Sequence, residues 1–151
     1  MPTITPSEII DGVVIIEPQL FGDERGYFVE TYRREWFPQG REMIQGNRGN
    51  RIAGCLVGLH YHLHQADYWY VPFGHARVVL HDLRSGGPTD GATECFDISG
   101  ENHLGVFIPP GVAHGFAALR RSMRARRSRQ RATAPAASPR RTASSARQIV
   151  R

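Results

Sequence analysis

Gly54-Cys-Leu-Val-Gly-Leu-His60-Tyr-His62-Leu-His64-Gln-Ala-Asp67-Tyr-Trp-Tyr-Val-Pro-Phe-Gly74 is the stretch that organises the chain. Cys55, Leu56, Val57 and Leu59 lead into it, and Tyr68, Trp69 and Tyr70 lead out. Apolar and aromatic runs bounded by glycine suit half-buried strands. Between them His60, His62 and His64 alternate. Side chains two apart on a strand share a face, so three histidines can line one wall of a cavity. A polar cluster within apolar flanks costs stability unless it is partnered, which makes this the place to look for chemistry. A lone strand histidine is usually packed or on the surface. Three in alternation, with Asp67 close by and His114 further on, point to a functional site centred on His60.

The same punctuation continues on both sides. Val13–Ile16 is a compact apolar run ended by Pro18, and Gly22-Asp23-Glu24-Arg25-Gly26 is turn chemistry feeding a strand at Tyr27–Tyr32. Arg33–Phe37 fits a single helical turn closed by Pro38. Further strands are expected near Met43–Gly46, Ile52–His62, Tyr68–Pro72, Ala76–Leu83, Thr93–Ile98 and Val106–Ile108, and again after His114. Many short strands between glycine and proline turns, with almost no helical periodicity, argue for an all-β protein, a sandwich or a small barrel.

A chain of 151 residues suits one domain with a real core. It contains no apolar run of membrane-spanning length and no signal-peptide pattern, so a soluble cytoplasmic protein with no membrane partner is expected. Cys55 and Cys95 sit in apolar segments and read as buried thiols rather than a disulfide framework. The net charge of +5 joins two unlike parts. Residues 1–119 hold all 14 acidic residues and eight arginines, whereas residues 120–151 hold 11 arginines and no acid. The body is mildly acidic, and nucleic-acid binding does not follow from the high pI.

Residues 120–151 carry seven alanines, five serines and no aromatic side chain, so they are expected to be a disordered basic tail. Two accounts of that tail stay open. One is an arginine-rich arm for an acidic partner. The other is an out-of-frame reading of GC-rich coding sequence, which tends to produce Arg, Ala, Ser and Pro without Lys.

The body resembles the dTDP-4-dehydrorhamnose 3,5-epimerase family. The residues that carry the resemblance are Gly22-Asp-Glu-Arg25-Gly-Tyr-Phe28-Val-Glu30, Gln45-Gly-Asn47, Gly58-Leu-His60-Tyr61, Gln65-Ala66, Asp82-Leu-Arg84 and Ile108-Pro-Pro-Gly-Val-Ala-His114-Gly-Phe116. Their order and spacing match the family over roughly residues 8–119. The resemblance implies a cupin-type antiparallel jelly roll, incomplete at its C-terminal end, over residues 1–119. It implies epimerisation of a dTDP-4-keto-6-deoxy sugar in deoxysugar (rhamnose) biosynthesis, with no cofactor and no metal, in a homodimer. His60 matches the catalytic base. Arg25, Phe28 and Glu30 match a segment that contacts the nucleotide, often from the partner subunit. Gln45 and Asn47 match polar residues lining the nucleotide site, and His114 a histidine near the phosphates and sugar.

Departures from the family pattern suggest alternatives. Val57 stands where the family has an arginine and Asp67 where it has a lysine, and the region of the family's catalytic tyrosine and orienting aspartate falls in the basic tail. Turnover is therefore expected to be impaired, and a non-catalytic sugar-nucleotide binder is one alternative. A metal-binding cupin using His60, His62, Asp67 and His114 is the other, because neutral imidazoles and a carboxylate suit a transition metal.

Overall fold

The computed structural model describes residues 1–37 and 42–119, and the backbone alone of residues 143–150. The strands are β1 (Thr3–Pro6), β2 (Val14–Glu17), β3 (Leu20–Asp23), β4 (Gly26–Val29), β5 (Gln45–Ile52), β6 (Leu56–His60), β7 (Asp67–Phe73), β8 (His75–Asp82), β9 (Thr93–Ser99), β10 (Gly105–Ile108), β11 (Val112–Leu119) and β12 (Ala143–Val150). A single 3-10 turn, Arg34–Trp36, falls where one helical turn was expected. Every ladder is antiparallel, in a six-stranded sheet β1-β2-β10-β7-β12-β5, a four-stranded sheet β6-β11-β8-β9 and a separate hairpin β3-β4. Among the described residues no helix is long and apolar enough to cross a membrane.

Alternation along the strands builds two cores. Trp69, Val71, Val106 and Ile108 of the six-stranded sheet meet Ala76, Val78, Leu80, Ile98 and Val112 of the four-stranded one. Burying both apolar faces against each other is what holds the sandwich together. The opposite face of the six-stranded sheet, with Val14, Ile16, Tyr68, Tyr70 and Phe107, is covered by Trp36, Phe37 and Met43. The aromatic run Tyr68-Trp69-Tyr70 therefore divides between the cores, Trp69 inward and the two tyrosines outward.

One lock ties loop to strand. Asp82 is buried and accepts hydrogen bonds from the Arg84 backbone (2.9 Å), the Arg84 guanidinium (2.8 and 2.7 Å) and the Thr89 hydroxyl (2.6 Å). Arg84 reaches on to the Asp11 carbonyl at 2.7 Å. The Arg84 guanidinium, with Thr89, holds the Asp82 carboxyl well below the usual carboxylate range against the opposing effect of burial.

Four sequence expectations are corrected. Residues 143–150 are not unstructured: β12 lies between β7 and β5 and pairs with both, from Ala143↔Ile52 to Val150↔Gln45 on one side and from Ser145↔Phe73 to Val150↔Asp67 on the other. Low apolar content led to the expectation of disorder, but a strand inserted between two others is held by backbone hydrogen bonds on both edges, whatever its composition. To that extent the C-terminal end is less incomplete than expected, while residues 120–142 and 151 lie outside the described residues. The strand expected over Ile52–His62 is two, because β5 ends at Ile52 and a turn at Ala53-Gly54 precedes β6. Cys95 is exposed rather than buried, and both cysteines are free thiols. Finally, β6 ends at His60, so the strand alternation does not extend through His62 and His64.

Candidate functional site

The strand ends bring the histidines together. His60, the last residue of β6, pairs directly with His114 on β11, and their rings meet edge-on at 4.5 Å. The close approach of these strands depends on two glycines. A Cβ on Gly58 would lie 2.5 Å from the Gly115 Cα, and one on Gly115 would lie 2.6 Å from the Val57 carbonyl oxygen. Gly58 also has φ +125°, a conformation that only glycine adopts freely. Beyond β6 the chain turns back, bringing the His62 ring to 5.3 Å from His60 and 5.4 Å from His114. His64 is exposed and stands outside the group.

Asp67 opens β7 on the other sheet and closes the cluster from across the sandwich. It is 1% exposed and His114 2%. Asp67 Oδ2 lies 3.2 Å from His114 Nε2 and 3.8 Å from His62 Nε2. Asp67 Oδ1 accepts a hydrogen bond from the Gln65 amide at 2.9 Å. His114 Nδ1 lies 2.9 Å from the Val112 carbonyl oxygen. A carbonyl only accepts, so Nδ1 carries the proton and Nε2 faces the carboxylate. Trp69 walls the cluster, with its ring edge-on to His114 at 5.1 Å.

His60 stands on the open side of this group. Burial pushes its pKa below the ordinary histidine value, the nearby His114 and His62 rings add to the drop, and Asp67 opposes it. Its imidazole is therefore neutral at pH 7 and able to accept a proton from a molecule entering the cavity.

Gln45 and Asn47 lie on the same sheet face as Asp67. In the ladder Val150 pairs with both Gln45 and Asp67, and Gln148 with both Asn47 and Trp69. Residues in one cross-strand row project from the same face, so Gln45 and Asn47 share the inner face with Asp67 and Trp69. They are exposed and joined by a 3.2 Å hydrogen bond from the Gln45 amide to the Asn47 carbonyl.

Arg25, Phe28 and Glu30 do not join the cluster. Arg25 and Phe28 lie on the separate hairpin, where Phe21, Asp23, Arg25, Gly26, Tyr27 and Phe28 line a shallow pocket of about 330 Å³. Phe28 is 70% exposed, and Arg25 pairs with its neighbour Asp23 at 2.6 Å. Glu30 follows the hairpin and pairs with Arg33 at 2.9 Å. The hairpin touches the body through Tyr27, edge-on to His103, whose Nδ1 lies 3.1 Å from the Tyr70 hydroxyl. Two contributors to the cluster had no role assigned from sequence: Gln65, which steadies Asp67, and Trp69, which walls His114. Gln65 already stood in the Gln65-Ala66 motif, and its offset of two from Asp67 suits a short side-chain hydrogen bond.

An antiparallel double-sheet sandwich with a histidine cluster and a carboxylate between its sheets defines a cupin-type jelly-roll protein. Residues 7–135 match the family model for dTDP-4-dehydrorhamnose 3,5-epimerase, and the chain belongs to that family. It is 35% identical over 115 residues to the spore coat polysaccharide biosynthesis protein SpsL of Bacillus subtilis (strain 168), covering 74% of this chain and 73% of that protein. It is 40% identical over 115 residues to the dTDP-4-dehydrorhamnose 3,5-epimerase of Methanothermobacter thermautotrophicus, covering 73% of this chain but only 62% of the relative. Among solved structures, the dTDP-6-deoxy-D-glucose-3,5-epimerase of Legionella pneumophila in complex with dTDP-4-keto-L-rhamnose superposes with a TM-score of 0.79 at 29% identity, over 99% of this chain and 71% of that one.

Proposed function

We propose that this chain epimerises a 4-keto-6-deoxy sugar carried on dTDP, with His60 as the base. The observation that carries the reading is the placement of His60 at the end of β6, on the open side of the histidine cluster and directly across from His114, where burial and the neighbouring rings hold its pKa below the ordinary value. A carbon beside a ketone is acidic enough for imidazole to deprotonate once substrate is held in reach. The electron pair then moves into the carbonyl to give an enolate, and delivery of a proton from solvent to the opposite face, with loss of the first proton from His60 to solvent, inverts the centre. Gln45 and Asn47 extend the cavity along the inner face and suit the nucleotide, while His114 is placed for the sugar and phosphates.

A homodimer completes this reading. Phe21, Tyr27 and Phe28 are exposed on a hairpin that belongs to neither large sheet, a placement suited to entering a second copy. There Phe28 stacks on the base, Arg25 meets the phosphates, and Glu30 lies nearby. A free nucleotide sugar as substrate fits a cytoplasmic protein. Val57, Asp67 and the basic segment after residue 119 depart from the family pattern, and slow turnover is expected from them.

The test is solvent exchange. A dTDP-4-keto-6-deoxy sugar incubated with the protein in heavy water should take up deuterium beside the ketone. His60→Asn should lower that rate by about 10²–10⁴-fold, the usual worth of a general base. Exchange that is absent in wild type while dTDP still binds points to a non-catalytic binder, and exchange that survives the substitution removes His60 as the base.

A further inference from the structure

The geometry points to a divalent transition-metal site formed by His62, Asp67 and His114, with His60 as the fourth ligand. This stands on the arrangement of donor atoms and does not depend on the epimerase reading. One ligand atom from each of the four residues lies within 4.8 Å of every other. Ligands held about 2.0–2.2 Å from a central ion stand about 3–4 Å apart, so modest side-chain rotation closes the set.

The second observation is two unanswered nitrogens. His62 Nε2 and His114 Nε2 are both buried and make no hydrogen bond among the described residues. His114 uses Nδ1 on the Val112 carbonyl, which leaves Nε2, 3.2 Å from Asp67 Oδ2, as its ligating atom. His62 Nε2 faces the same oxygen at 3.8 Å. Two buried nitrogens aimed at one carboxylate oxygen form a donor set that a cation draws together. A divalent ion engages both nitrogens and the carboxylate oxygen, together with the nearby ring of His60.

The donor set selects the kind of ion. Three imidazoles and one carboxylate suit zinc, cobalt, nickel or iron(II), whereas calcium and magnesium take oxygen ligands. The partner of Asp67 supports the same role, because the Gln65 amide on Oδ1 orients the carboxylate with Oδ2 toward the two histidines. When the ion is bound the lone pair of His60 is held in coordination. The metal-loaded form and the metal-free form able to take a proton from substrate are then alternative states of one site.

The experiment uses the full chain without substrate, stripped with a chelator and titrated with cobalt(II), whose visible bands report coordination. One equivalent should bind, with bands of four- or five-coordinate intensity, and zinc should displace it. His62→Gln and Asp67→Asn should each weaken binding by at least about tenfold. His81→Gln, at a half-buried histidine on β8 outside the cluster, should leave it intact. Circular dichroism verifies that each variant is folded, and His62→Gln alone suffices should the buried Asp67 variant fail to fold. Substoichiometric uptake by folded wild type overturns the proposal, as does unchanged affinity in folded His62→Gln. Because no turnover is measured, failure here leaves the exchange experiment on His60 untouched.

Discussion

Replacing Gly58 with alanine tests the coupling between strand packing and the site. The new Cβ would stand 2.5 Å from the Gly115 Cα and 3.2 Å from the His114 carbonyl oxygen, both backbone atoms that cannot rotate away. The φ of +125° adds a cost that no side chain can relieve. A non-glycine residue in such a region costs about 1–3 kcal/mol. Overpacking by one methyl group adds about 1–3 kcal/mol more. A loss of about 2–6 kcal/mol is therefore expected, a large fraction of the stability of an ordinary domain. Urea unfolding followed by tryptophan fluorescence measures it, because Trp69 sits in the inter-sheet core. Gly91 is the control: its φ is +79° and an added Cβ would meet nothing within 4 Å, so Gly91→Ala should show the conformational cost alone. Where Gly58→Ala still folds, β6 must move away from β11, separating His60 from His114 and slowing deuterium exchange. Equal losses in the two variants, with unchanged exchange, would refute the claim that the glycine pair sets the site.

Two further outcomes follow from the ionisable groups. The pKa of His60 lies below the ordinary 6.5, so the base is unprotonated at neutral pH; kcat/KM should rise with pH through an apparent pKa below 6.5 and stay level through pH 8, and an acid limb centred above 7 would contradict the assignment. Asp82→Ala should cost about 2–3 kcal/mol at pH 7, less than breaking a fully buried pair because Arg84 keeps some access to water. The Asp82 carboxyl is held below its unfolded value of 3.8, so this stabilisation is fully present above pH 4 and is lost as the pH falls toward the folded pKa. Urea midpoints of wild type and variant should converge in that acid range, and a gap that persisted there would show that the loss is not electrostatic.

Much of the architecture was legible in the chain because it is local. Short apolar runs between glycine and proline turns specify strands, and the ordered motifs from Gly22 to Phe116 specify the family. His60 and His114 were both singled out before any strand was paired. Composition also separated the acidic body from the arginine-rich segment. It failed at Ala143–Val150, where backbone pairing to β5 and β7 organises a sequence with little apolar content.

Only the tertiary structure decided which polar residues meet. Alternation promised His60, His62 and His64 on one wall, but β6 stops at His60, leaving His62 in the cluster and His64 in solvent. Asp67, 47 positions before His114 and on the opposite sheet, became its neighbour through the stacking of the two sheets. Gln45 and Asn47 joined the same face through Val150 and Gln148, 105 and 101 positions later in the chain. The physical reason is one of range. The period of a strand and the chemistry of a turn are properties of a few neighbouring residues, whereas register and sheet stacking are set by burying apolar faces contributed from the whole chain.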